Sequence, residues 1–194
     1  MRGCLVIRTS SSSLKMIADC SEARLREAPC HILEFASKKQ RHVTRSTFAA
    51  ELFGATDTAD TMLVVVLALH EVETGTITIE QARRLREYGP YCCQTILCVD
   101  AMSVFAAITA QNVKASAERS LISHAQWLRE LLDHKVLYSI AWFDTRDMHG
   151  DGLTKGKVSR DLLHELMSGS FRLRHPLKTW SSRQRREMAE LLGQ

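Results

Sequence analysis

Apolar residues at Phe48, Leu52, Ala55, Ala59, Met62, Leu63 and Val66 recur every three or four positions. That spacing puts them on one stripe of an amphipathic helix. Ser46 or Thr47 is the natural N-cap. The helix is expected to run to about His70, with the β-branched run 64–66 wholly buried. A break, VETGTIT, separates it from a second helix from Ile79 to Tyr88, which Gly89 and Pro90 end.

Elsewhere the period shortens. GCLVIRT at 3–9 reads as a strand running into the serine turn 10–13. After Pro29, Cys30, Ile32 and Phe35 alternate imperfectly with His31 and Glu34, giving a second strand. The segment 14–28 fits either a short strand and loop or a short helix. TILCV at 95–99 is almost entirely apolar, and its length and β-branching predict a buried central strand. A helix follows from Ala101 to about Thr109. Another carries Leu121, Ala125, Leu128, Leu131 and Leu132, with Trp127 close to that face. LYSIAWF at 137–143 alternates like a strand, a polar loop then carries Asp144, Asp147 and Asp151, and a compact helix spans about 159–167. From Arg172 the chain is basic and ends in a candidate helix at 182–192. Strands interleaved with helices predict an α/β layered domain over 1–170 with a basic tail over 171–194.

Composition narrows the class. The 194 residues are 45% hydrophobic and 25% charged, with six Cys and three Pro, which excludes collagen-like, low-complexity and disulfide-scaffold chains. The longest apolar run, 62–69, is far short of the ~20 residues that a bilayer requires. With no signal-peptide core near the start, an intracellular protein (cytoplasmic or nuclear) with no membrane partner is expected. The cysteines form no CxxC pair and no zinc spacing, so they read as reduced core thiols.

Charge is unevenly spread. Residues 1–45 hold nine basic and four acidic groups, 46–155 hold nine and fourteen, and 156–194 hold eight and four. Basic ends around an acidic centre suit a polyanion ligand and a carboxylate site, although ordinary solvated faces give the same tally. Within the acidic centre, three residues stand where structure would expose a carboxylate. Glu51 lies early in the long helix, beside its apolar stripe. Asp100 ends an apolar strand, the place where open α/β sheets put function. Asp151 follows the last strand. Each also has a plain use, as a helix flank, a helix cap and a turn residue. Other constellations fail: His124 and His134 lack an HExxH frame, Ser10 to Ser13 lack GxSxG, and there is no glycine-rich phosphate loop.

Three ordered stretches, ASKKQRHVTRSTFAAEL at 36–52, CVDAMSVFAAI at 98–108 and IAWFDTRDMHGDGLTKG at 140–156, together resemble the ribonuclease H domain of copia-type retrotransposon Pol polyproteins. The resemblance covers about residues 30–170. It implies a ribonuclease H-like layered fold, a mixed central sheet flanked by helices, and cleavage of RNA in RNA–DNA hybrids by two-metal hydrolysis. Position by position, Glu51, Asp100 and Asp151 carry over as catalytic and metal-ligating residues for two Mg²⁺ (or Mn²⁺) ions. Lys38, Lys39, Arg41 and Arg45 would hold phosphates of the hybrid, and an upstream reverse transcriptase segment is an implied partner. Departures are specific. The family's first catalytic Asp lies on an opening strand that would precede GCLVIRT, and Asp19, the only early aspartate, falls after it. Gly150 stands where the family usually has Ala, Asp144 where it has Pro, and VETGTITIEQARRLREYGP is an insertion. Cleavage is therefore expected to be impaired, the other class of reading being a non-catalytic nucleic-acid- or protein-binding remnant.

Overall fold

Ser46 takes extended backbone and its hydroxyl accepts the Ala49 N–H at 3.2 Å, so it starts the long helix as an N-cap. In the computed structural model, which describes residues 2–10, 26–38, 44, 46–110, 119–156 and 159–182, this helix (α1) runs over Thr47–Thr74. It goes four residues beyond His70, taking in the first part of the expected break. Gly75, at φ 93°, is what ends it. The buried stripe is Ala49, Leu52, Ala55, Thr56, Ala59, Met62, Leu63 and Val66. By contrast Val64 is 65% exposed, which corrects the expectation that 64–66 is wholly buried. Three consecutive helical residues sweep about 200° and cannot all face one core.

The remaining elements are β1 (Arg2–Thr9), β2 (Arg26–Lys38), α2 (Ile79–Tyr88), β3 (Ile96–Val99), α3 (Met102–Thr109), α4 (Arg119–Asp133), β4 (Ser139–Trp142), a 3-10 turn (Thr145–Asp147), α5 (Asp151–Thr154), α6 (Asp161–Met167), β5 (Ser170–Leu173) and β6 (Lys178–Trp180). The architecture is mixed α/β, as the interleaved pattern implied. A surface element, α2 buries no residue and is held by a capping box between Thr78 and Gln81. Of the ambiguous segment 14–28, residues 14–25 lie outside the described residues, and 26–28 open β2.

The strands form two three-stranded sheets. One is antiparallel in the order β1-β2-β5; the other has the order β3-β4-β6, with β3 parallel to β4 and β6 antiparallel to it. The strand at 96–99, expected to be central, is therefore at an edge: among the described residues it pairs only with β4, and β1 pairs only with β2. Both sheets nonetheless share their apolar faces. Cys4 and Val6 of β1 and Leu97 and Val99 of β3 join the core under α1, and Leu5, Ile7, Ile96 and Cys98 join a second cluster around Phe143, Phe171 and Leu173. One helix thus spans two half-sheets that no ladder connects among the described residues.

Residues 171–182, set with the tail in the sequence, contain two strands that pair into both sheets. Phe171 and Leu173 point inward while Arg172 reaches Glu27 and Arg174 reaches Glu165. The candidate helix at 182–192 lies outside the described residues beyond Ser182. Cys92 is exposed, so it is not a core thiol; it sits in the turn after Pro90, where its backbone N–H donates to His70 Nδ1 of α1 at 3.0 Å. By length and apolarity alone α1 is long enough to cross a membrane, yet here its apolar stripe is the covered side of a core helix.

Candidate functional site

The three carboxylates come from three elements. Glu51 is in the second turn of α1, Asp100 directly follows β3, and Asp151 opens α5. Backbone contacts fix where each sits. The indole Nε1 of Trp142 donates to the Asp100 carbonyl at 2.7 Å, and the Phe143 N–H donates to the Val99 carbonyl at 2.9 Å. These two bonds hold the end of β3 against β4. On the other half-sheet, Gly3 at the start of β1 lies so close to α5 that an added Cβ would stand 2.8 Å from Thr154 Cγ2 and 3.1 Å from the Gly150 carbonyl. A glycine is required there by this close approach. It seats α5, and with it Asp151, between the start of β1 and the end of β3.

The carboxylates feel one another. The Asp100 carboxyl is held above its ordinary value first by burial and then by the Asp151 charge, with Lys155 and the backbone N–H groups of Asp100 and Ala101 opposing. Glu51 is also pushed up, first by desolvation, then by Asp100 and, more weakly, Asp151. As a whole residue Glu51 is exposed, so its desolvation is partial, and the direction rather than any energy is what counts. Asp100 is not a helix cap: the N-cap of α3 is Ala101 and no side chain bonds there. Asp151 binds Lys155 Nζ through Oδ2 at 2.7 Å, and its side chain is only 13% exposed. The i, i+4 geometry is set by α5, whose last bond runs from the Lys155 N–H to the Asp151 carbonyl at 2.9 Å.

Oxygen donors of this kind suit Mg²⁺. Even so, among the described residues no three His, Cys, Asp or Glu side chains converge closely enough to hold an ion. With an ammonium already bound to Asp151, the three acids as they stand do not fit a two-metal set. Of the basic residues assigned to phosphates, Lys38 is exposed at the end of β2, whereas Lys39, Arg41 and Arg45 lie outside the described residues, as does Asp19.

Two features were not assigned a role from the sequence. Lys155 is one, although its place four residues after Asp151 is a visible i, i+4 signal. The second is Asp147, 1% exposed, which accepts N–H groups of Arg174 and His175 at 3.0 and 2.8 Å and faces His175 Nδ1 at 2.9 Å. Its neighbour Asp144, which caps the 3-10 turn, is held far below the ordinary carboxylate range by its bonds to Arg146.

Raised carboxyls give a signed expectation. A folded-state value above the unfolded one contributes stability that is complete at low pH and lost as pH rises through the folded value. At neutral pH ionised Asp100 therefore opposes folding. Asp100→Asn should raise the melting temperature near neutrality by about 2 °C, the order that ~1 kcal/mol gives in a chain of this size. The gain should shrink as pH falls towards the ordinary Asp value of about 4 and vanish below it. Thermal unfolding followed at both pH values checks it; a lower melting temperature for the variant at neutrality would contradict the crowding of these charges.

Compared with protein-family models, with curated proteins and with solved structures, the chain matches none.

Proposed function

We propose that this chain is a ribonuclease H-like domain of copia-type descent, whose cleavage of RNA in RNA–DNA hybrids is crippled. The observation that carries the reading is the gathering of Glu51, Asp100 and Asp151, from three separate elements, within electrostatic reach of one another. Impairment is supported by the Lys155 ammonium seated on Asp151 and by the absence, among the described residues, of three acid side chains close enough to share an ion. The hybrid would lie across the acid-bearing end of the half-sheets, with Lys38 beside its phosphates. Binding there would weaken steeply with salt.

A second reading, a binding remnant with no reaction, is favoured by one observation: Asp151 is engaged by Lys155 rather than left open. A labelled RNA–DNA hybrid, offered with Mg²⁺ or Mn²⁺ to the purified chain and to Asp100→Asn, separates the two. Slow cleavage of the RNA strand is expected, falling by about 100-fold or more in the variant, since lesser disturbances around such sites already cost 10–100-fold. Hybrid retention without cleavage in either protein would favour the remnant. Failure of the folded chain to bind hybrid at low salt would sink both.

A further inference from the structure

We infer that Cys92 and Cys93 are a dithiol–disulfide couple, closed by a hydroperoxide and reopened by a small thiol such as glutathione. The two are adjacent in sequence, and the chain bends at both of them in the turn between α2 and β3. Cys92 is exposed and Cys93 half-buried, and their thiols lie within hydrogen-bonding reach of one another. The Cys92 N–H donates to His70 Nδ1 at 3.0 Å, which pins this turn against α1. Cys93 packs beside the core under that helix, near the Arg8–Glu73 ion pair that ties β1 to α1. The outer sulfur is therefore open to a solute, while the inner one is held with its sequence neighbour as the sulfur at hand. Other described cysteines differ: Cys4 and Cys30 are buried, and desolvation pushes the Cys98 thiol up to about 12.

The chemistry divides between the two sulfurs. A thiolate is the reactive form, and exposure lets Cys92 present it to a solute. Its sulfur attacks the O–O bond of hydrogen peroxide and takes one oxygen, giving a sulfenic acid and releasing one water. Burial, and then Cys92 itself, push the Cys93 thiol up to about 11, so Cys93 waits protonated. Its sulfur then displaces hydroxide from the Cys92 sulfur, and its proton leaves with that hydroxide as a second water. Two thiols and one hydrogen peroxide thus give one disulfide and two waters. Consecutive Cα atoms stand about 3.8 Å apart, below the roughly 4.4 Å at which disulfides ordinarily begin. The bond is therefore strained, and strained, exposed disulfides are the readily reduced ones. Reduction passes through a mixed disulfide, and two glutathione thiols leave as glutathione disulfide.

The couple rests on no part of the proposed function, since His70 lies roughly 28 Å along α1 from Glu51, and either can fail alone. The full chain is treated with hydrogen peroxide, its remaining thiols are alkylated, and chymotrypsin cuts after Tyr91 and Leu97. The 92–97 peptide holds Cys92 and Cys93 and no other cysteine. By mass it should have lost two hydrogens, and it should regain them when the oxidised chain meets glutathione before alkylation. In Cys93→Ser, Cys92 should instead keep added oxygen or a glutathione adduct. Met167, 71% exposed, reports that the oxidant reached the surface. The inference is overturned if the wild-type peptide stays a dithiol while Met167 is oxidised, or if Cys92 alone carries oxygen or glutathione beside a free Cys93. It is equally overturned if the disulfide joins two chains, or if glutathione fails to reopen it.

Discussion

Asp147→Ala should lower stability by about 3–5 kcal/mol, the cost of breaking a buried charge network by removing one partner. The carboxylate is 1% exposed and accepts three hydrogen bonds: two backbone N–H groups, from Arg174 and His175, and His175 Nδ1. Alanine leaves three part-buried donors without this acceptor, and an unmade buried bond costs more than a made one contributes. The residue ties the 3-10 turn after β4 to the link between β5 and β6. Its loss should therefore loosen the seating of β6 on β4 and of the segment leading into α5. In a domain with a total stability of 5–15 kcal/mol, the melting temperature should fall by roughly 10 °C. Asp147→Asn keeps one acceptor oxygen and should lose less than half as much. Urea unfolding of the three proteins decides it: an alanine variant within ~1 kcal/mol of wild type would mean that the network is solvated rather than buried.

How far the sequence exposed this fold depends on how local each signal was. The stripe of α1 needs only its own residues, and Ser46 at its head is a side-chain-to-backbone contact three residues long. Both were legible. The end of α1 was not, because Glu71 to Thr74 are acceptable helix residues and the break depends on Gly75 alone. Strand β5 was written in the sequence as Phe171 and Leu173 alternating with Arg172 and Arg174. The arginines made it look like a solvated tail; their partners, Glu27 and Glu165, are 145 and 9 residues away. Likewise TILCV reads as central because it is apolar on both sides. Clusters on both faces do cover it, yet its second edge is unpaired among the described residues.

The candidate site divides along the same line. Asp100 was legible because the end of an apolar strand is a local fact, and Asp151 because a loop after a strand is one too. That Glu51 belongs with them depends on where α1 crosses the end of β3, which no periodicity reports. The Lys155–Asp151 spacing was visible but carried no weight, because an i, i+4 pair has meaning only once 151–154 is known to be helical, and DGLT, with a glycine at its second position, is a weak helix on propensity alone. Tertiary packing against Gly3 makes it one.

Leu52→Ala tests the contact on which Glu51 depends. Leu52 is 0% exposed on the buried side of α1, inside the core that joins Cys4 and Val6 of β1 to Leu97 and Val99 of β3. Truncating a buried leucine removes transfer free energy and leaves a cavity that close-packed neighbours only partly fill, a loss of about 2–5 kcal/mol. Here the upper half of that range is expected, because the void would open where one helix bridges two half-sheets that share no ladder among the described residues. The matched control is Val64→Ala on the same helix. That side chain is 65% exposed, and its removal should change stability by no more than about 0.5 kcal/mol. Urea unfolding of both variants at equal slope supplies the comparison. If Leu52→Ala costs as little as Val64→Ala, α1 does not seat on the sheets as described, and the approach of Glu51 to Asp100 falls with it.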